Sequence, residues 1–228
     1  MAEEQKVKHL AVVVDGNRRW AKQRNLKPWE GHEEGANVLK KLFDWAKELR
    51  IKELTLYVLS TENLKRERLE LEFLFRLFKK FFKKFKKDKK IKEDKIKIRF
   101  IGDLNLVPKD VAELAREMEE DTKEHNNYII NFCFAYGGRL ELLNTINHLL
   151  ESGKKEVTEE DIENSLWLKE CPDLIIRTGG VVRTSNFLPW QSAYSEWIFL
   201  EKFWPDFTKQ DLEVCLKEFE NRKRNFGK

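Results

Sequence analysis

Asp15, Gly16, Asn17, Arg18 and Arg19 follow directly on the run His9-Leu10-Ala11-Val12-Val13-Val14. A mostly apolar, β-branched run of this kind forms a short buried strand, and its abrupt switch to an acid, a glycine, an amide and two guanidinium groups marks the strand end as a candidate site. Glycine lets the backbone approach a ligand, the following N–H groups can face anionic oxygens, and paired arginines offer fork-shaped donors suited to phosphate. The Asp15 carboxylate belongs beside phosphate only if a cation lies between them, which points to Mg²⁺. Taken alone, Asp-Gly more often marks a turn with solvated arginines.

The same device recurs in Asp173-Leu174-Ile175-Ile176-Arg177-Thr178-Gly179-Gly180, with Arg183, Thr184 and Ser185 close behind. Two arginines and a hydroxyl beside glycines suit a second phosphate-bearing group, because charge-assisted hydrogen bonds contribute about 1.5–3 kcal/mol each. A surface loop with solvated arginines is the alternative. A third apolar run, residues 54–59, ends at Ser60-Thr61-Glu62-Asn63. In an open parallel sheet the carboxyl ends of strands form the ligand edge, so these polar clusters are expected to face one pocket. Glu196 sits among Trp190, Tyr194 and Trp197, where a carboxylate needs an ionic partner or a metal.

The elements that must position these residues alternate between strand and helix periods. Helices are expected over residues 33–50, 69–87, 108–125, 140–151, from 158 and over 209–224, the last with Leu212, Val214, Cys215, Leu216 and Phe219 inward. Further strands are expected over 96–101 and 128–135, the latter so continuously apolar that it belongs inside the sheet. Helix 69–87 carries Phe73, Leu74, Leu77, Phe78, Phe81, Phe82 and Phe85 on one face and Lys79, Lys80, Lys83, Lys84, Lys86 and Lys87 on the remainder. A core face opposed to a solvated face accounts for that pattern. The fold class is α/β, one domain over residues 1–228, with a central, mostly parallel sheet flanked by helices.

Composition agrees. The chain has 228 residues, 41% hydrophobic and 37% charged, which suits one well-cored domain. A net charge of +4, from 44 basic and 40 acidic residues, is too balanced to indicate nucleic acid. Cys133, Cys171 and Cys215 are far apart and form no CxxC pair, which suits a reducing cytoplasm. The amino terminus has no apolar leader region and no run approaches a membrane span, arguing against secretion and membrane insertion.

Asp15-Gly16-Asn17-Arg18-Arg19-Trp20-Ala21-Lys22 resembles the signature of the cis-prenyltransferases, the undecaprenyl diphosphate synthase family. Gly31-His32, Ser60-Thr61-Glu62-Asn63, Tyr136-Gly137-Gly138-Arg139, Arg177-Thr178-Gly179-Gly180 and the run from Arg183 to Glu196 match the family in the same order, over roughly residues 7–227. The resemblance implies a Mg²⁺-dependent condensation of isopentenyl diphosphate with an allylic prenyl diphosphate (geranyl, farnesyl or geranylgeranyl) to a Z-polyprenyl diphosphate. It implies an allylic site at Gly16, Asn17, Arg18, Arg19, Trp20, His32, Ser60, Thr61 and Glu62. It places isopentenyl diphosphate at Arg66, Arg177, Arg183, Thr184 and Ser185, and the metal on Asp15 and, across a homodimer, Glu196. Asn17, Ser60 and Asn63 would join Asp15 as catalytic residues through a proton-transfer network, and the Phe-rich helix would wall a hydrophobic tunnel for the growing chain. The lysine face would attract an anionic membrane, giving a cytoplasmic protein with peripheral membrane contact.

Several positions depart from the family pattern. Pro28 stands where members often carry an arginine, Arg18 where many have glycine, Leu64 where many have tryptophan and Ala135 where many have asparagine. Val181-Val182 replaces a polar pair, and Asn225-Phe226-Gly227 replaces an Arg-x-Gly, with Arg224 adjacent. Two other readings therefore stay open: an irregular prenyltransferase or the catalytic subunit of a hetero-oligomer, and a non-catalytic prenyl-diphosphate-binding subunit. The joint presence of Asp15, Arg19, His32, Glu62, Arg177, Arg183 and Glu196 weighs against the last.

Overall fold

The computed structural model describes residues 6–222. Six strands, β1 (His9–Val13), β2 (Glu53–Ser60), β3 (Ile96–Ile101), β4 (Tyr128–Tyr136), β5 (Leu174–Arg177) and β6 (Glu196–Phe199), form one sheet in the order β3-β4-β2-β1-β5-β6. Every pairing is parallel, so all carboxyl ends share one edge. The chain leaves β1 toward β2 on one side and returns to β5 on the other, which opens a crevice at the end of β1. Around the sheet lie α1 (Asn17–Gln23), α2 (Pro28–Glu48), α3 (Arg68–Lys86), α4 (Lys89–Glu93), α5 (Lys109–Thr122), α6 (Gly138–Glu151), α7 (Glu159–Ser165) and α8 (Lys209–Asn221).

Alternation along the strands divides the core in two. Leu10, Val12, Leu56, Phe132 and Phe134 face a large cluster with α2, α3, α5 and α8, while Ala11, Val13, Tyr57 and Cys133 face a smaller one closed by Leu168, Phe187 and Leu188. The α3 aromatic stripe enters the larger cluster: Phe82 meets the rings of Phe100, Phe132 and Phe134 at 5.0–5.8 Å between centroids. The expected core face therefore holds for Phe78, Phe81, Phe82 and Phe85, whereas Phe73 packs on Trp29 near the surface and Phe75, which was not expected there, packs against the core.

Five features differ from the sequence reading. Residues 17–23 are helical rather than loop, and α2 begins at Pro28, which occupies the first helical position where its missing N–H costs nothing. Residues 196–199 form an edge strand, and 89–93 a short helix, neither of which the periodicity indicated. Val214, expected inward on α8, is 59% exposed, because Leu212, Cys215 and Phe219 alone make the buried stripe. Arg224 and Asn225-Phe226-Gly227 lie outside the described residues.

Candidate active site

The site grows from the end of β1. Val13 is paired in register with Arg177, so the strand ends place Asp15 beside a guanidinium that is only 3% exposed. Arg177 Nη2 donates to Asp15 Oδ2 at 2.8 Å, and its Nη1 donates to Ser185 Oγ at 2.8 Å and to the Arg183 carbonyl oxygen. Asp15 Oδ1 accepts from the Gly16 N–H at 2.6 Å and from Arg19 Nη2 at 3.0 Å. Arg19 Nη1 also donates to the Gly179 carbonyl at 2.5 Å. One carboxylate is thus neutralised by two arginines, leaving excess positive charge at the strand edge.

Local backbone makes this convergence feasible. Gly16 has φ 105°, a left-handed conformation that turns the chain from β1 into α1, and a Cβ there would lie 2.7 Å from the Phe203 ring. Helix α2 crosses α1 so closely that a Cβ on Gly35 would come within 2.3 Å of Asn17 Oδ1. Ser185 and Asn186 both hold positive φ, 51° and 63°, the kind of backbone strain that concentrates at functional sites.

Three buried polar atoms here lack any partner: Asn17 Oδ1, His32 Nε2 and Arg177 Nε. Buried polar atoms are normally satisfied, so such vacancies suit a polar ligand. Burial, reinforced by Arg66 and Arg18, holds the His32 pKa down at about 4, leaving the ring neutral with one N–H to donate. Arg66 Nη1 pairs with Glu70 Oε1 at 3.0 Å, and Arg18 Nη1 lies 3.7 Å from Glu70 Oε2. Ser60 and Asn63 cap each other, each backbone N–H donating to the other's side-chain oxygen at 3.2 Å. Glu62 Oε1 accepts from Asn186 Nδ2 at 2.9 Å, tying the β2 end to the loop after β5.

These side chains line one cleft of about 1200 Å³: Asp15, Gly16, Asn17, Arg18, Arg19, His32, Ser60, Glu62, Asn63, Arg66, Arg177, Arg183 and Ser185 all face it. At its inner end it shares Val14, Asn17, His32, Val58 and Leu74 with an apolar cavity of about 50 Å³, walled further by Leu39, Leu77, Phe78, Phe81, Phe82 and Phe132. The arrangement suits an amphiphile, with an anionic head among the arginines and the start of an apolar tail directed toward α3.

Other sequence candidates lie elsewhere. Trp20 donates from Nε1 to Asp206 at 2.7 Å and is covered by Arg24, so it braces α1 from outside. Thr61 and Thr184 do not line the cleft. Glu196 opens β6 opposite Leu174, at the amino end of the sheet, roughly 10 Å along the strand from the Arg177 level. There it pairs with Arg222 at 2.7 Å, so one chain does not bring Asp15 and Glu196 together. Lys22, Asn25, Leu26 and Pro28 also line the cleft, and Glu70 braces its rim; the sequence reading named none of the five as site residues. The signature-like run that ends at Lys22, the departure at Pro28 and the Arg66–Glu70 i,i+4 spacing pointed toward three of them, whereas nothing in the sequence marked Asn25 or Leu26.

Among the described residues no group of three or more His, Cys, Asp or Glu side chains could hold a metal ion. Asp15, with a third of its side chain accessible in the cleft, nevertheless fits Mg²⁺, which is commonly held by one or two carboxylates and completes its shell with phosphate oxygens and water.

Residues 13–227 match the Prenyltransf family, undecaprenyl diphosphate synthase. A tritrans,polycis-undecaprenyl-diphosphate synthase (geranylgeranyl-diphosphate specific) of Pyrococcus abyssi is 41% identical over 229 residues, spanning 97% of this chain and 87% of its own length. An isoprenyl transferase of Thermotoga maritima is 42% identical over 225 residues, 96% of each chain. Among solved structures, lavandulyl diphosphate synthase from Lavandula x intermedia in complex with dimethylallyl diphosphate is similar at a TM-score of 0.92 and 32% identity, covering 98% of this chain and 99% of that one.

Proposed function

The chain belongs to the undecaprenyl diphosphate synthase family, the cis-prenyltransferases, and from that premise we propose how its cleft carries the condensation. The enzyme condenses isopentenyl diphosphate with an allylic prenyl diphosphate. The carrying observation is the cationic cleft that narrows into an aromatic cavity, complementary at once to a diphosphate and to its prenyl tail.

In our reading the allylic diphosphate lies on Gly16, Asn17, Arg18 and Arg19, with the neutral His32 donating its free N–H, and the allyl chain runs past Val58 and Leu74 behind α3. Isopentenyl diphosphate lies on Arg66, Arg177, Arg183 and Ser185. Mg²⁺ held by Asp15, with Glu196 of a second copy, would offset the negative charge that builds on the departing diphosphate. The allylic C–O bond breaks, diphosphate leaves with the electron pair, and the double bond of isopentenyl diphosphate attacks the freed allylic carbon. Arg19 and Arg177 are already aligned by Asp15, so their donors stabilise that charge without reorganising. Loss of a proton then forms the new cis double bond. Asn17, Ser60 and Asn63 orient the proton's path, and because an amide is a poor acceptor, a diphosphate oxygen serves as base.

The deciding experiment is Mg²⁺-dependent incorporation of radiolabelled isopentenyl diphosphate with geranyl, farnesyl or geranylgeranyl diphosphate as primer, alongside Asp15→Ala. Incorporation that requires Mg²⁺ and Asp15 supports the reading; none, from folded protein with every primer, overturns it. Products from Phe78→Ala, Phe81→Ala and Phe82→Ala should be longer than wild type, and unchanged length in all three would remove these rings as the tunnel floor. A second reading follows from the lavandulyl diphosphate synthase likeness: irregular joining of two allylic diphosphates, which dimethylallyl diphosphate alone would reveal as a labelled branched product.

A homodimer belongs to the same proposal. Leu143, Ile146 and Leu150 form an exposed apolar stripe at helical spacing on α6. Sedimentation of the purified chain at twice its own mass supports this, whereas a monomer that becomes active only with another subunit favours the hetero-oligomer.

A further inference from the structure

Helix α3 has two cationic flanks with opposite fates. On the flank toward α5, Lys79 pairs with Asp110, and Lys86 pairs with Glu117 at 2.9 Å and Asp121 at 3.0 Å. On the other, Arg76, Lys80, Lys83, Lys84 and Lys87 recur at helical spacing on one exposed face, and among the described residues none of them has a carboxylate partner within salt-bridge distance. Lys40 of α2 adds to the crowding: burial first, then Lys84 and Lys80, lower its pKa. Aligned like charges without counterions complement an anionic surface.

The same row changes character toward the cleft. One and two turns before Arg76 it carries Phe73 and Leu69, the latter 79% exposed. Phe73 contacts Trp29, itself 39% exposed, at 5.6 Å between ring centroids, and Leu26 is exposed beside it and lines the cleft. Lys27 lies over the Trp29 ring at 5.1 Å. An apolar tip with an aromatic ring and a flanking lysine, continued by a basic row, is the composition of a surface that lies in a lipid head-group region.

We propose that the outer face of α3 docks this enzyme on an anionic phospholipid bilayer, with Arg76, Lys80, Lys83, Lys84 and Lys87 against the head groups and Leu26, Trp29 and Leu69 inserted at the mouth of the cleft. The inner face of the same helix, through Leu74, Leu77, Phe78 and Phe81, walls the apolar cavity. One helix therefore stands between the prenyl tail and the bilayer, and a product with a diphosphate head and a long hydrocarbon tail can leave at the Leu69 end without crossing water. This role for the bilayer rests on the reading of the cleft as a prenyl diphosphate site.

The test is co-sedimentation of the full chain with phosphatidylglycerol–phosphatidylcholine vesicles and with phosphatidylcholine vesicles, without substrate. The anionic vesicles should bind at least tenfold better at low salt, and the difference should collapse at high salt. Lys80→Glu/Lys84→Glu should lose tenfold or more of that binding and Leu69→Ser several-fold, while Lys86→Gln on the paired flank should bind as wild type. Equal binding to both vesicles, or wild-type binding by Lys80→Glu/Lys84→Glu, overturns the proposal, as does a row that binds single-stranded DNA but no vesicle. Detergent-solubilised condensation by Lys80→Glu/Lys84→Glu should match wild type. Vesicle binding by a protein without condensation would refute the functional reading and leave docking standing, and condensation without vesicle binding would do the reverse.

Discussion

Polar side chains are buried at both ends of the sheet, yet they do opposite things. At the amino end, His9 Nε2 and Thr55 Oγ1 lie 2.7 Å apart, and Asn131 Nδ2 donates to Glu53 at 2.7 Å and to Thr55 at 2.9 Å. Asp173 accepts the backbone N–H groups of Lys8 and His9, which ties β5 to β1. Those groups bond chiefly to one another. At the carboxyl end, one acid meets two arginines, and Asn17, His32 and Arg177 keep unpartnered atoms around an open cleft. The amino-end cluster also contains unpartnered atoms, His9 Nδ1 and Asn131 Oδ1, so vacancy alone does not identify a site. Excess charge of one sign together with an opening does.

The largest separation between the two ends should come from single removals. Arg177→Ala strips Asp15 Oδ2 of its cation and Ser185 of its donor, and should lower kcat/KM on the order of 10²–10³-fold, as losing a donor to developing negative charge commonly does. Thr55→Val at the other end removes the shared partner of His9 and Asn131, and should cost about 1–3 kcal/mol in urea unfolding while leaving kcat/KM of the folded protein unchanged. A large kinetic effect from Thr55→Val would erase the distinction between the ends.

Histidine titration sharpens the same contrast. Burial is the main cause holding both His9 and His32 at about 4, below the ordinary 6.5. A depressed value means that the folded state favours the neutral ring, so each histidine's contribution is complete above pH 6.5 and is lost as pH falls toward 4, on the order of 3 kcal/mol apiece. Urea midpoints measured between pH 7 and 5 should fall accordingly, and His9→Gln or His32→Gln should each flatten the curve. Inorganic pyrophosphate should flatten only the His32 part, because an anion beside that ring favours its charged form. Equal action of pyrophosphate on His9→Gln and His32→Gln proteins would place His32 outside the diphosphate site.

The strands and the α3 core face were legible because their signals are periodic and local: apolar runs ending in Asp15, Ser60 and Arg177, and aromatic residues at helical spacing from Phe73 to Phe85. Helix α1 was not. Its short, largely polar run has little propensity to fold alone, and it is held instead by α2 closing over Asn17 at Gly31 and Gly35 and by Trp20 bonding to Asp206. Strand β6 escaped notice because four residues give too few alternations to distinguish a strand, and only its pairing with β5 defines it. Glu196 could be recognised as a carboxylate needing a partner, but not that Arg222, from just beyond α8, supplies one. Long-range contacts decide each of these, and periodicity carries none of them.

The smallest expected effect tests the cleft rim against its floor. Arg18, 54% exposed on its side chain, reaches from α1 to within 3.7 Å of Glu70 on α3, while the less exposed Arg66 pairs with the same carboxylate at 3.0 Å. An accessible ion pair contributes only about 0–1 kcal/mol, so Arg18→Gly should scarcely change stability beyond the cost of a glycine within α1. One cation lost from the mouth should raise KM for the allylic substrate about 3–10-fold with kcat unchanged, since a rim contact holds ground state and transition state alike. The added KM should shrink at high salt, because Arg18 is screened where Arg177 is not. If instead Arg18→Gly lowers kcat and leaves KM alone, Arg18 acts on the departing diphosphate itself, and the division of labour between an exposed rim and a buried Asp15–Arg177 floor must be redrawn.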